Sequence, residues 1–114
     1  MSAIYQIKTV TLTHKNIEKK RLVITFNDQS YELVADYLMA DAPLLSFEII
    51  QVIEAVLNGQ NKAAKWAGNR TELTINPDTS IIEDLFEQKE AISVETNWLY
   101  EMTVLWQNQL NELN

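Results

Sequence analysis

The sequence predicts an α+β fold: one antiparallel meander sheet of about six to seven strands, with two amphipathic helices packed on one face. Three observations carry this reading. Segments such as "RLVITFN" and "RTELTI" alternate apolar and polar side chains, as half-buried strands do. Two longer stretches place apolar residues at helical spacing: Leu45, Ile49, Val52, Ile53 and Val56, then Leu99, Met102, Trp106, Leu110 and Leu113. Turn chemistry built on Gly, Pro, Asn and Asp separates these segments.

Taken in order, "AIYQIKTVTLTH" is rich in β-branched residues and pairs with the strand at 21–27, leaving the basic "KNIEKK" as the connecting loop. "NDQS" reads as a turn, and "YELVA" as the strand that completes a hairpin with 21–27. Pro43 suits the first turn of a helix, where its missing N–H has no partner to lose, and Asn58-Gly59 supplies a left-handed stop. Gly68-Asn69, between "AAKWA" and "RTELTI", fits a two-residue hairpin turn with Gly68 at positive φ. "NPDTS" turns the chain again. "SIIEDLFE" follows with an ambiguous period, since Ile81, Ile82, Leu85 and Phe86 also fit a helical turn. The preceding turn and the alternating "AISVET" favour a strand. Thr96 is a natural N-cap for the last helix, whose stripe Trp98 and Leu105 widen. The expected core is Leu22, Ile24, Phe26, Leu33, Ile49, Ile53, Leu73, Ile75, Val94, Met102 and Trp106.

With 114 residues, 46% of them hydrophobic, and three tryptophans, the chain reads as a single domain over residues 1–114. It has no cysteine, which excludes disulfides and thiolate metal sites. The polar, alternating start is unlike a secretory signal, and the apolar run "PLLSFEIIQVIEAVL" is broken by Glu48, Gln51 and Glu54. No membrane contact is expected, and a soluble cytoplasmic protein is.

The net charge of −7 argues against nucleic-acid binding, which needs bases to displace phosphate counterions. The charge is also unevenly placed. Residues 8–21 hold five bases against Glu18, a local +4; residues 78–101 hold seven acids against Lys89, a local −6. Such an acidic run either keeps the surface solvated or steers a basic partner.

Catalytic equipment is sparse. His14 is the sole histidine, no serine sits in a nucleophile elbow, and two glycines cannot build a phosphate loop. Carboxylates remain: Glu83 with Asp84, or Glu87 with Glu90, could hold Mg²⁺ or act as an acid/base pair. Neighbours on a strand point to opposite faces, so Glu83 and Asp84 cannot share a site if that segment is extended. A non-enzyme with no cofactor and no metal is expected. Trp106 belongs in the core, Trp66 and Tyr100 are open between core and interface, and Asn69 and Arg70 should be exposed at the hairpin tip.

The succession "VIEAVLNGQ", "KWAGNRTELTINPDTSIIEDLFE" and "ISVETNWLYEMTVLWQNQL" resembles small acidic immunity proteins encoded beside bacterial polymorphic toxins, including those of contact-dependent growth inhibition. The likeness covers roughly residues 50–110. It implies a non-catalytic antitoxin that binds the toxin domain of its own system, often a nuclease, and neutralises it by blocking its active site or substrate groove. Nucleases carry basic grooves, so an acidic inhibitor gains steered association. The expected partner-binding residues are Asp78, Glu83, Asp84, Glu87 and Glu90, on the last meander strand, its exit loop and the preceding turn. The rival surface is the basic segment with Lys15, Lys19, Lys20 and Arg21. Two other readings stay open: an acidic accessory or nucleic-acid-mimic protein, and a carboxylate- or metal-dependent enzyme.

Overall fold

Two antiparallel sheets and three α-helices make up the fold, seen in a computed structural model that describes residues 3–113, and of residues 43–46 the backbone alone. The first sheet is a two-stranded ribbon, β1 (Tyr5–His14) with β2 (Ile17–Phe26). The second has four strands in sequential order: β3 (Ala64–Ala67), β4 (Thr71–Ile75), β5 (Thr79–Asp84) and β6 (Ile92–Glu95). Between the sheets run α1 (Glu32–Asp36) and α2 (Ala42–Leu57); α3 (Thr96–Leu113) follows β6. The α+β class and antiparallel pairing hold, but the single sheet of six to seven strands is replaced by two separate sheets.

Two local corrections account for that split. "YELVA" is helical. The Asp28 carboxylate accepts the Ser30 N–H at 2.9 Å and starts a 3₁₀ turn, Gln29–Tyr31, that leads directly into α1. Leu33, Val34, Ala35, Tyr37 and Leu38 are all buried, a face too wide for alternation and right for a helix. The segment 15–20 is also more strand than loop. The turn is only Lys15-Asn16, with φ of 52° and 66°, the left-handed pair that a type I′ hairpin demands. Lys19, Lys20 and Arg21 therefore lie on β2.

α2 runs as the punctuation requires, from a start with Pro43 in its first turn to Gly59 at φ +79°. Proline cannot donate to the residue four before it, and the turn ahead of it, Tyr37–Asp41, is a widened π-helical one. Ile49, Ile53 and Val56 are buried and Val52 half-buried, while the Leu45 side chain lies outside the described residues.

The inner face of the four-stranded sheet presents Trp66, Thr71, Leu73, Ile75, Ser80, Ile82 and Val94. α2 packs against α3, α2 also against β3, and α3 against β5 and β6, so both long helices cover this face. Leu22 and Ile24 of β2 join the same core, with Phe26 half-buried and packed against it. The buried Tyr37 hydroxyl meets the Thr103 hydroxyl at 2.8 Å, and burial pushes its pKa well above the ordinary tyrosine range. Thr96 begins α3 but does not cap it in the expected way. Its buried hydroxyl donates to the Asn76 carbonyl and meets Ser80 Oγ at 2.7 Å, tying the helix start to the β4–β5 turn. Among the described residues, no helix is long and apolar enough to cross a membrane.

Candidate partner-binding site

The β3–β4 and β5–β6 loops meet at one end of the four-stranded sheet, and carboxylates organise both. Asp41, aimed by the π-helical turn, is buried against the β3–β4 loop. Its Oδ1 accepts the N–H groups of Asn69 (2.6 Å) and Arg70 (3.0 Å). Its Oδ2 accepts the Thr71 N–H (2.8 Å) and hydroxyl (2.6 Å). Successive N–H groups converging on one acceptor form an anion nest, occupied here by the protein's own side chain. Gly68 has an ordinary negative-φ backbone rather than the expected positive φ; what it supplies is room, because a Cβ there would collide with Asp41. The loop closes with Gly68 N–H donating to the Thr71 carbonyl at 2.9 Å, which in the ladder register sets Gly68 opposite Thr71 and leaves Asn69-Arg70 between them, one residue further along than the Gly68-Asn69 turn the sequence suggests.

Asp84 does the same for the β5–β6 loop. Its carboxylate accepts the N–H groups of Phe86 (2.9 Å), Gln88 (3.1 Å) and Lys89 (3.0 Å) and lies 3.5 Å from the Arg70 guanidinium. Burial pushes the carboxyl pKa up, but these hydrogen bonds and the Arg70 charge outweigh burial and hold it below the usual aspartate value. Arg70 also reaches Asp36 at 3.8 Å, so it is tucked inward rather than exposed at a hairpin tip. Lys89 Nζ lies 2.6 Å from Asp36 and 3.6 Å from Glu32 of α1. The Asp36 bond, then the surrounding acids, raise the Lys89 pKa. Beside Lys89 a groove of about 350 Å³ opens between Gln29–Leu33 and Lys89–Ile92.

What these tethers hold up is apolar. Phe86 is 57% exposed and Leu85 42% exposed, side by side at the sheet's end. The Arg70 guanidinium carbon lies over the Phe86 ring, 5.0 Å from its centroid, a cation–π contact. Glu83 near the end of β5, and Glu87 and Glu90 in the loop that follows, are exposed, Glu87 at a φ of 54°. Glu83 also stands directly across from Glu72 on β4, a like-charge pair that costs stability in a sheet. Lys65 gives Glu72 only a distant counter-charge at 4.0 Å.

The five sequence-expected residues therefore divide. Glu83, Glu87 and Glu90 come together at one end of the sheet. Asp84 is adjacent, but its carboxylate is turned inward and engaged, so it shapes the loop without being offered to a partner. Glu83 and Asp84 do point to opposite faces. Asp78 is exposed but sits in the β4–β5 turn, the full length of β5 away, about 20 Å at strand rise. The apolar pair Leu85 and Phe86 was missed as a surface feature, because its neighbours Ile81 and Ile82 invite a buried reading. The Asp-x-Phe spacing, typical of an Asx turn, is the signal that marks a loop there. Of the undecided aromatics, Trp66 is buried, and Tyr100 is half-buried with its hydroxyl donating to Glu54 at 3.0 Å.

Among the described residues, no group of three or more acids and histidines is placed to hold a metal ion. Compared with protein-family models, curated proteins and solved structures, the chain matches none.

Proposed function

We propose that this protein is a binding module of the immunity type, which engages a basic toxin domain through the end of the four-stranded sheet and blocks its active site or substrate groove. The observation that carries the reading is the exposed Leu85–Phe86 pair, in a loop tethered by Asp84 and beside Arg70, with the exposed acids Glu83, Glu87 and Glu90 on the same strand end and loop. An apolar centre with a charged rim is the anatomy of a protein-binding hot spot. Preorganisation by the Asp84 bonds reduces the ordering cost of association. The unfavourable Glu72–Glu83 pairing is relieved when a cation of the partner arrives between them. Asp78 lies outside this surface.

Nothing in this reading asks for catalysis. Purified protein should cleave neither RNA, DNA nor nucleotides with Mg²⁺ present, and cleavage abolished by Glu83→Gln would establish the enzyme alternative instead.

The direct test is protection. The reading expects a gene beside this one to encode a basic toxin domain, and cells expressing that domain should survive when the protein is co-expressed. They should die when it carries Phe86→Ala with Glu87→Gln and Glu90→Gln. Death in the presence of folded wild-type protein would contradict the proposal.

A further inference from the structure

The β1–β2 ribbon is longer than the core requires. Leu22 and Ile24 anchor its root, yet every residue from Lys8 to Arg21 is exposed. The molecule is correspondingly long, 49 Å against 27 and 26 Å. A two-stranded ribbon standing free in water is marginal at best; three or more strands with an apolar face are the stable unit.

The two edges of this ribbon differ. β2 carries Glu18, Lys19, Lys20 and Arg21, the charges that keep an edge strand from pairing. β1 carries Thr9, Val10, Thr11, Leu12 and Thr13: uncharged, β-branched for the most part, and without proline, glycine or a bulge. Among the described residues, nothing protects that edge. Val10 is 38% and Leu12 48% exposed, and both share a face with Ile17, 62% exposed, which sits opposite His14 in the ladder.

We infer that β1 pairs antiparallel with β1 of a second copy, joining two ribbons into one four-stranded sheet in the order β2–β1–β1–β2. The register centres on Thr11. The two-residue turn makes His14 and Ile17 a hydrogen-bonded pair, and alternation then leaves the N–H and C=O of Thr9, Thr11 and Thr13 pointing away from β2. About a two-fold axis at Thr11, these groups meet their equivalents: Thr11 faces Thr11, and Thr9 faces Thr13. Val10 faces Leu12, so the two exposed apolar patches become continuous.

Charge selects the occupant. A strand with basic side chains is repelled by Lys8, Lys19 and Arg21, and an acidic one is drawn to the β2 edge, where the lysines are; the strand that fits against β1 is an uncharged one, as its own Thr9–Thr13 is. A second copy meets β1 through a neutral stretch and keeps both sets of lysines on the outer edges. Such a two-fold contact is self-complementary and closes.

Sedimentation equilibrium of the full chain at about 100 μM should give a dimer that dissociates on dilution. Thr11→Lys sets like charges opposite one another, and Thr11→Pro removes an N–H aimed at the partner while sparing the β1–β2 ladder. Each should weaken the dimer about tenfold or more, with the thermal melt of the monomer retained. The chain has no cysteine, so Thr11→Cys provides an independent readout. A hydrogen-bonded pair places its Cα atoms within disulfide reach, and oxidation should yield a covalent dimer. Wild type that stays monomeric throughout overturns the inference. So does a dimer that survives Thr11→Lys and cross-links through Lys19→Cys, or one lost on neutralising Glu87 and Glu90.

Discussion

Gly68 is in contact with Asp41 so closely that a Cβ at position 68 would collide with the Asp41 carboxyl carbon. The glycine lets the β3–β4 loop wrap the carboxylate and deliver three successive N–H groups to it. Gly68→Ala should therefore destabilise the fold by about 1–3 kcal/mol through overpacking. Asp41→Asn puts an amide NH₂ among N–H donors and should cost a similar amount, about 1–3 kcal/mol. Because both act on one nest, the double variant should cost less than the two added. Chemical denaturation of all three variants reads this out, and full additivity would contradict it.

Acid stability depends on Asp84. Its carboxyl titrates below the ordinary value of 3.8 in the folded state, so the stability it adds is complete above that value and is lost as pH falls through the folded pKa. Asp84→Asn should thus lower stability by a constant amount from about pH 5 to 8, a gap that narrows below about pH 4. Lys89 behaves oppositely: its raised pKa means its contribution is full below 10.5 and declines as pH rises beyond. Denaturant midpoints across pH check both limbs, and a gap that widened in acid would reverse the sign.

Trp106 is 1% exposed, and its indole N–H has no hydrogen-bond partner. Trp106→Ala should cost about 3–5 kcal/mol. Trp106→Phe keeps most of the ring volume and removes the unpaired donor, so it should cost less than about 1.5 kcal/mol. Equal losses in thermal melts would mean that the N–H, rather than the packing, matters.

Periodicity made much of this fold legible. Leu73 and Ile75, the turn at Pro77 and the alternation around Val94 mark three of the four meander strands, and the stripe from Leu99 to Leu113 marks α3. The failures have a common cause. In "YELVA" five residues are too few for either period to dominate, and the outcome rests on burial of Val34 and Leu38 against elements far along the chain. Gly68 was legible as a loop residue, but its purpose is set by Asp41, distant in sequence and brought close only by the π-helical turn. The acidic run at 83–90 was legible as charge. That Asp84 turns inward while Phe86 turns outward depends on a loop closed by backbone N–H groups, which composition does not encode.

The central claim, that the exposed Leu85–Phe86 pair and the neighbouring acids form the docking surface, is tested most directly by binding kinetics with the basic toxin domain that the proposed function expects as partner. Phe86→Ala should raise the dissociation rate and cost about 2 kcal/mol or more. Glu87→Gln with Glu90→Gln should instead slow association and flatten its salt dependence, with thermal stability little changed. If both variants bind as wild type while neutralising Lys15, Lys19, Lys20 and Arg21 removes affinity, the acidic end is only a solvated surface and the claim fails.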